Sequence, residues 1–283
     1  MEKILRVFPH KTRATPIDEL VRIGVGPEKT DFADRIDISV TFSWDLPLAE
    51  SLADQWRVVA PVSIGGPATG QRSEAFISGQ YIGNGYTITS RGCPNKCWFC
   101  SVWKREGDTV RELPIVDGWN VLDDNLLACS DDHIKSVLSM LERQKNKPVF
   151  TGGLEAKRLK LWQAVELKKI KTQQMFFAYD TQDDLEPLVE AGKLLRQAGY
   201  KENSHALRAY VLCGWPKDTM SQALARMHQT IDAGFYPMAM LWRDKTGETN
   251  REWRQFQRVW ANPYILFTEA RKYKESNGPT KNN

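Results

Sequence analysis

From residue 86 onward, short apolar runs alternate with longer segments whose apolar residues recur at helical spacing. Strands and helices taking turns in a parallel α/β layer write that pattern. Six runs read as strands: Tyr86–Ser90, Trp119–Leu122, Pro148–Thr151, Met175–Tyr179, Leu207–Leu212 and Tyr236–Trp242. Between them, Ile134, Val137, Leu138 and Leu141 share one helix face behind a Ser130 cap and two first-turn acids, Asp131 and Asp132. Thr181 and Asp184 stand at capping-box spacing before Leu185, Leu188, Val189 and Leu195, and Gly199 is placed to end that helix. Met220, Leu224, Met227 and Ile231 follow Thr219 and stop before Gly234.

The strands run into Asp123-Asp124-Asn125, Gly152-Gly153, Asp180-Thr181, Gly214-Trp215-Pro216 and Arg243-Asp244, and the first runs into a cysteine-rich loop. In an α/β barrel the loops after the strands open onto one face, and chemistry gathers there. The pattern predicts an α/β fold: a partial (β/α)6 TIM-like barrel over residues 81–275. Ahead of it, Asp37–Phe42 alternates as a strand, Leu48–Trp56 suits a helix, and Val59–Ile64 runs into Gly65-Gly66-Pro67, which predicts a small N-terminal α/β cap within residues 1–80. The polar residues 276–283 are expected to be a disordered tail.

Composition narrows the class. With 283 residues and 41% apolar content, the chain can bury the core of one large domain or of one domain with an appendage. No apolar run approaches the roughly 20 residues that span a bilayer, and the N-terminus lacks the apolar stretch of a signal peptide, so a cytoplasmic protein with no membrane partner is expected. Five cysteines, three of them within eight residues, make no disulfide framework and suit a reducing compartment. The net charge of +4 is compatible with an anionic partner without indicating one.

Those three cysteines, Cys93, Cys97 and Cys100, form a C-x3-C-x2-C array directly after the first strand. An iron-sulfur cluster is normally held by four cysteines and a structural zinc by four ligands, so a local set of three leaves a position open to a small molecule. The spacing, together with Phe99 before the last cysteine, resembles the signature loop of radical S-adenosylmethionine enzymes. The resemblance covers residues 86–245 by motif. It implies a 4Fe-4S cluster on the three cysteines, S-adenosyl-L-methionine chelated to the fourth iron, and reductive cleavage to a 5'-deoxyadenosyl radical. It also implies an external one-electron reductant such as flavodoxin or ferredoxin. The six-unit open barrel is the fold that family members share.

Carried over residue by residue, Gly152 and Gly153 resemble the element whose backbone receives the methionine ammonium. Glu155 stands one residue later than in the common Gly-Gly-Glu form, and is either a ligand contact or a first-turn helix acid. Tyr179 and Asp180 match the position that serves the ribose, although Asp180 also suits a helix cap. The stretch around Gly214 resembles the adenine-contacting element of the fifth strand, and Phe99 is expected to add a contact from the cysteine loop. Asp123, Asp124 and Asn125 are substrate-gripping candidates or solvated loop acids, and Trp215 and Arg243 are further substrate candidates; no catalytic residue is assigned. Residues 35–70 loosely resemble half of the cobalamin-binding domain of one subfamily. The half bearing Asp-x-His-x-x-Gly is absent, so no cobalamin is expected.

Other readings stay open on the same residues. A zinc knuckle would borrow a fourth ligand from Cys129, Cys213 or His133. In Arg251–Trp260, arginines interleave with Trp253, Phe256 and Trp260, which suits a noncatalytic nucleic-acid binder with a structural metal. At helical spacing the same aromatics form a buried stripe. The substrate is a small molecule or a nucleic acid. Small relatives in phage genomes suggest a radical isomerase of an amino-acid-modified thymidine in hypermodified DNA.

Overall fold

The computed structural model describes residues 2–72, 76–202 and 204–277. The chain divides into two compact units, Met1–Asn125 with Lys245–Gly247, and Leu126–Asp244 with Glu248–Asn283, where the sequence suggested a boundary after residue 80.

The N-terminal unit opens with a parallel sheet of four strands, β1 (Ile4–Phe8), β2 (Val21–Ile23), β3 (Arg35–Ser39) and β4 (Val62–Gly65), in the order β2-β1-β3-β4. Helix α1 (Leu46–Trp56) connects β3 to β4. Leu5, Val7, Ile36, Ile38, Leu52 and Trp56 form its core, and the Trp56 indole Nε1–H donates to Val25 O at 3.0 Å. The expected strand–helix–strand is thus present within a larger sheet. β1 went unread because Arg6 interrupts its apolar run. The Arg6 side chain is buried, pairs with Asp18, and donates to Gly79 O at 2.9 Å and Gln80 O at 2.5 Å. At Gly66, φ is +105° and a Cβ would lie 2.7 Å from Val40 O, so only glycine lets β4 turn against the end of β3.

In the same unit β5 (Tyr86–Thr87) pairs in parallel with β8 (Asn120–Val121), Tyr86 opposite Asn120 and Thr87 opposite Val121. The chain then leaves this pairing three residues earlier than expected, because β6 (Ser90–Arg91) turns into an antiparallel ladder with β7 (Arg111–Glu112). Between β6 and β7 lie the three cysteines and the short helix α2 (Val102–Arg105).

In the second unit β9 (Val149–Phe150), β10 (Gln174–Tyr179), β11 (Leu207–Cys213) and β12 (Tyr236–Leu241) run parallel in the order β12-β11-β10-β9. In β10 and β11, Met175, Phe176, Phe177, Leu207, Ala209, Val211 and Leu212 are buried, the near-continuous apolar run of a parallel strand. The intervening helices are α3 (Asp131–Glu142), α4 (Leu161–Lys169), α5 (Leu185–Gln197) and α6 (Met220–Asp232). Ser130 Oγ caps α3 by accepting from His133 N–H at 3.2 Å, and Thr219 and Gln222 form a reciprocal box on α6. Gly199 and Gly234, at φ +94° and +95°, close α5 and α6.

Helix α7 (Arg251–Ala261) lies against β12 and α6, and α8 (Pro263–Asn277) follows it. Trp253 and Phe256 are half-buried and Trp260 is buried, whereas Arg251, Arg254 and Arg258 are exposed, so the aromatics form the inward stripe. α8 extends to Asn277, two residues into the segment expected as a tail; residues 278–283 lie outside the described residues. No helix among the described residues is long and apolar enough to cross a membrane.

Candidate functional site

The cysteine loop is fixed at its root before any ligand is considered. Gly92 has φ +92°, and a Cβ there would sit 2.4 Å from Thr109 O, so the entry to the loop needs glycine. Cys93 N–H donates to Gly107 O at 3.3 Å across the loop, and Cys100 N–H closes a turn onto Cys97 O at 3.1 Å. Behind the loop, the Glu106 carboxylate is fully buried between Arg105 at 3.0 Å and Arg111 at 2.9 Å. Removing both arginines from so buried a carboxylate would strand its charge.

Asp123, Asp124 and Asn125, which begin one residue beyond β8, grip the same segment in register. Asp123 Oδ1 accepts from Thr89 N–H at 2.6 Å, and its Oδ2 accepts from Thr89 Oγ1–H at 2.6 Å and Ser90 Oγ–H at 2.8 Å. Asp124 faces the Arg91 guanidinium at 3.4 Å and accepts Gly92 N–H at 2.9 Å. Asn125 Nδ2–H donates to Cys93 Sγ at 3.4 Å. Burial raises the Asp123 carboxyl above its ordinary range, against which the Thr89 and Ser90 donors work. With 1% exposure and three donors, Asp123 braces the segment of Thr89 and Ser90, and Asp124 does the same at Gly92.

Cys93, Cys97 and Cys100 are all half-buried and outside any disulfide, while Pro94, Lys96 and Trp98 between them are exposed. A second N–H, from Val102, points at Cys100 Sγ at 3.5 Å. The Trp103 indole N–H holds Cys97 O at 3.1 Å, and the Phe99 ring meets Trp98 edge-on at 5.4 Å. Among the described residues no three His, Cys, Asp or Glu side chains converge as donors to one ion. Cluster cysteines each bind a different iron, so soft thiol donors spread along one loop, with N–H groups at two sulfurs, fit a 4Fe-4S cluster.

In the second unit the strand ends carry the other candidates. After β9, Gly153 has φ +98° with nothing within 4 Å of a would-be Cβ, which leaves its backbone approachable. Gly152 beside it is exposed. Glu155 is bound to its own neighbours, Lys157 at 2.9 Å and Arg158 at 2.6 Å, at the start of a short 3-10 turn, which agrees with the helix-acid alternative.

Tyr179 is fully buried, its hydroxyl donating to Gln229 Oε1 at 2.6 Å. Asp180 differs. The cap of the following turn is made by Thr181 and Asp184, so Asp180 is not needed there. Its Oδ1 accepts Leu212 N–H at 3.2 Å, and among the described residues its Oδ2 has no donor. Desolvation, with repulsion from Asp184 behind it, pushes the Asp180 carboxyl up to about 7.

After β11, Gly214 has φ +79°, and a Cβ would lie 2.5 Å from Leu241 Cδ1 and 3.2 Å from the Trp253 ring. The sequence did not disclose what holds this turn. Asp218 Oδ2 accepts Gly214 N–H at 2.8 Å and Arg226 Nη2–H at 2.7 Å, the Arg226 guanidinium lies 4.5 Å over the Trp215 ring, and the Asp218 side chain is fully buried. The one advance sign was an acid four residues after a strand-end glycine. Arg243 is exposed after β12. Cys213 is fully buried, its thiol pushed up to about 12 by desolvation, so it is a core residue; Cys129 is half-buried after a 3-10 turn.

No family model matches the chain, and no curated protein matches it. Among solved structures, it is similar to the radical S-adenosylmethionine methyltransferase TsrM from Kitasatospora setae, determined with cobalamin and a 4Fe-4S cluster bound. The match has a TM-score of 0.58 at 12% identity and covers 85% of this chain and 75% of the other. At that identity the likeness establishes a common α/β fold with parallel sheets.

Proposed function

We propose that this chain is a radical S-adenosylmethionine enzyme, with Cys93, Cys97 and Cys100 holding a 4Fe-4S cluster and S-adenosylmethionine on the open iron. The carrying observation is a three-cysteine loop secured at both ends, with N–H donors at Cys93 Sγ and Cys100 Sγ. The likeness to TsrM adds the fold. When bound, the cluster supplies the electron that cleaves the sulfonium, and an external reductant such as flavodoxin or ferredoxin replenishes it.

This chain's residues provide binding and orientation. Gly152 and Gly153 offer open backbone to the methionine ammonium. Asp180, once ionised, accepts from the ribose hydroxyls through Oδ2. Gly214, held by Asp218, presents the turn assigned to adenine, and Phe99 adds an apolar edge. The six expected strands are present as β5, β8, β9, β10, β11 and β12, which supports a partial (β/α)6 barrel. The four-stranded N-terminal sheet is larger than the half-domain the sequence suggested, while no Asp-x-His-x-x-Gly run occurs in the sequence, so cobalamin is not part of the proposal. The exposed arginine face of α7 favours a substrate carried on a nucleic acid, the class to which a modified thymidine belongs.

Anaerobic reconstitution followed by iron and sulfide analysis tests the reading. One 4Fe-4S cluster per chain is expected, lost in Cys93→Ala, Cys97→Ala or Cys100→Ala. With dithionite, the wild type releases 5'-deoxyadenosine and methionine from S-adenosylmethionine. Stoichiometric zinc without sulfide overturns the proposal.

A further inference from the structure

We infer that Asn125 is a positioning residue that sets how readily the cluster accepts its electron, through the N–H it donates to the Cys93 sulfur. This rests on the radical-enzyme reading and goes beyond it. The side chains of Asp123, Asp124 and Asn125 engage Thr89, Ser90, Arg91, Gly92 and Cys93 in order. Asp123 and Asp124 fix the two backbones against each other with bonds of 2.6 to 2.9 Å, so the amide that comes next in the chain is delivered to Cys93 Sγ with little freedom. Asn125 is itself buried, with 4% exposure, so solvent does not substitute for its donor.

The direction of the effect follows from charge. One-electron reduction adds one negative charge to the cluster and its thiolates, with no proton or bond transferred. An N–H aimed at a ligand sulfur stabilises that added charge, so it favours the reduced form, and hydrogen bonds to sulfur are among the levers that set cluster potential. A difference of about 1.4 kcal/mol between the two redox states corresponds to about tenfold in their ratio.

The test is an EPR-monitored redox titration of reconstituted wild type and Asn125→Leu, which keeps approximate shape and removes the donor. The expected result is equal iron and sulfide in both, with the reduced-to-oxidised ratio at a fixed poise about tenfold lower in the variant. Equal content with an unchanged ratio overturns this inference and leaves the proposed function standing. A wild type that holds no iron and sulfide overturns both. Should Asn125→Leu fail to load, the deciding measurement is pulsed EPR on otherwise native protein carrying Asn95→Gln and 15N-labelled asparagine. A 15N coupling to the reduced cluster is then expected, and its absence overturns the inference.

Discussion

A carboxyl that burial raises to about 7, so that it changes charge near neutral pH, alters what the end of β10 can bind. In the unfolded chain Asp180 titrates near the ordinary value of about 3.9, whereas folding raises it to about 7. The folded state therefore holds the proton more tightly, and the stability linked to it is complete below the unfolded value and lost as pH rises through about 7. Asp180→Asn, neutral throughout, should gain melting temperature relative to wild type as pH is raised from about 5 to 8, with the two converging toward acid pH. If Asp180 also serves the ribose, wild-type affinity for S-adenosylmethionine rises across that window while the Asn variant stays flat. A flat wild-type profile in a binding titration would assign Asp180 to structure alone. At this scale the sequence disclosed residue type and address but not orientation. The cysteine spacing was legible because ligation by one loop is local. At Asp123 and Tyr179 the sequence left orientation open, because a polar residue at a strand end looks the same whether it faces a ligand or turns back onto a neighbouring strand.

At the level of elements, the turn after β11 depends on one buried ion pair. Asp218 ties Gly214 N–H to Arg226, and Arg226 Nη2 also reaches Leu212 O at 3.1 Å, so one acid and one base fasten both sides of the turn. Deleting one partner strands the other charge, at a cost of about 3–5 kcal/mol. Asp218→Ala and Arg226→Met should each lower denaturant stability on that order, and the double variant should cost clearly less than the sum of the two. Additive losses would show that the pair is uncoupled. Helices α3, α5 and α6 were readable from sequence because caps and apolar stripes act within a few residues. β1 was hidden by Arg6, whose partners Asp18, Gly79 and Gln80 lie elsewhere in the chain. The expected strand Tyr86–Ser90 was divided between β5 and β6 by ladder partners that local periodicity cannot reveal.

For the whole molecule, the open question is whether a net charge of +4 serves a polyanion. The C-terminal segment was legible as basic and aromatic, but only the fold separates the two properties. Trp253, Phe256 and Trp260 are engaged inward, Trp253 covering Gly214, so they are not available to stack nucleobases. Arg251, Arg254 and Arg258 remain exposed along α7, and each phosphate they neutralise releases condensed counterions. If substrate is carried on DNA, binding weakens steeply with salt, with a slope of about −0.9 per phosphate contact on a duplex. The triple variant Arg251→Ala, Arg254→Ala and Arg258→Ala should then flatten that slope by roughly two to three without changing iron or sulfide content. Trp253→Ala should instead lower thermal stability, because it uncovers the Gly214 turn. An anaerobic titration settles the polyanion question: equal slopes for the wild type and the triple variant would remove α7 as a nucleic-acid face and direct the search to small-molecule substrates.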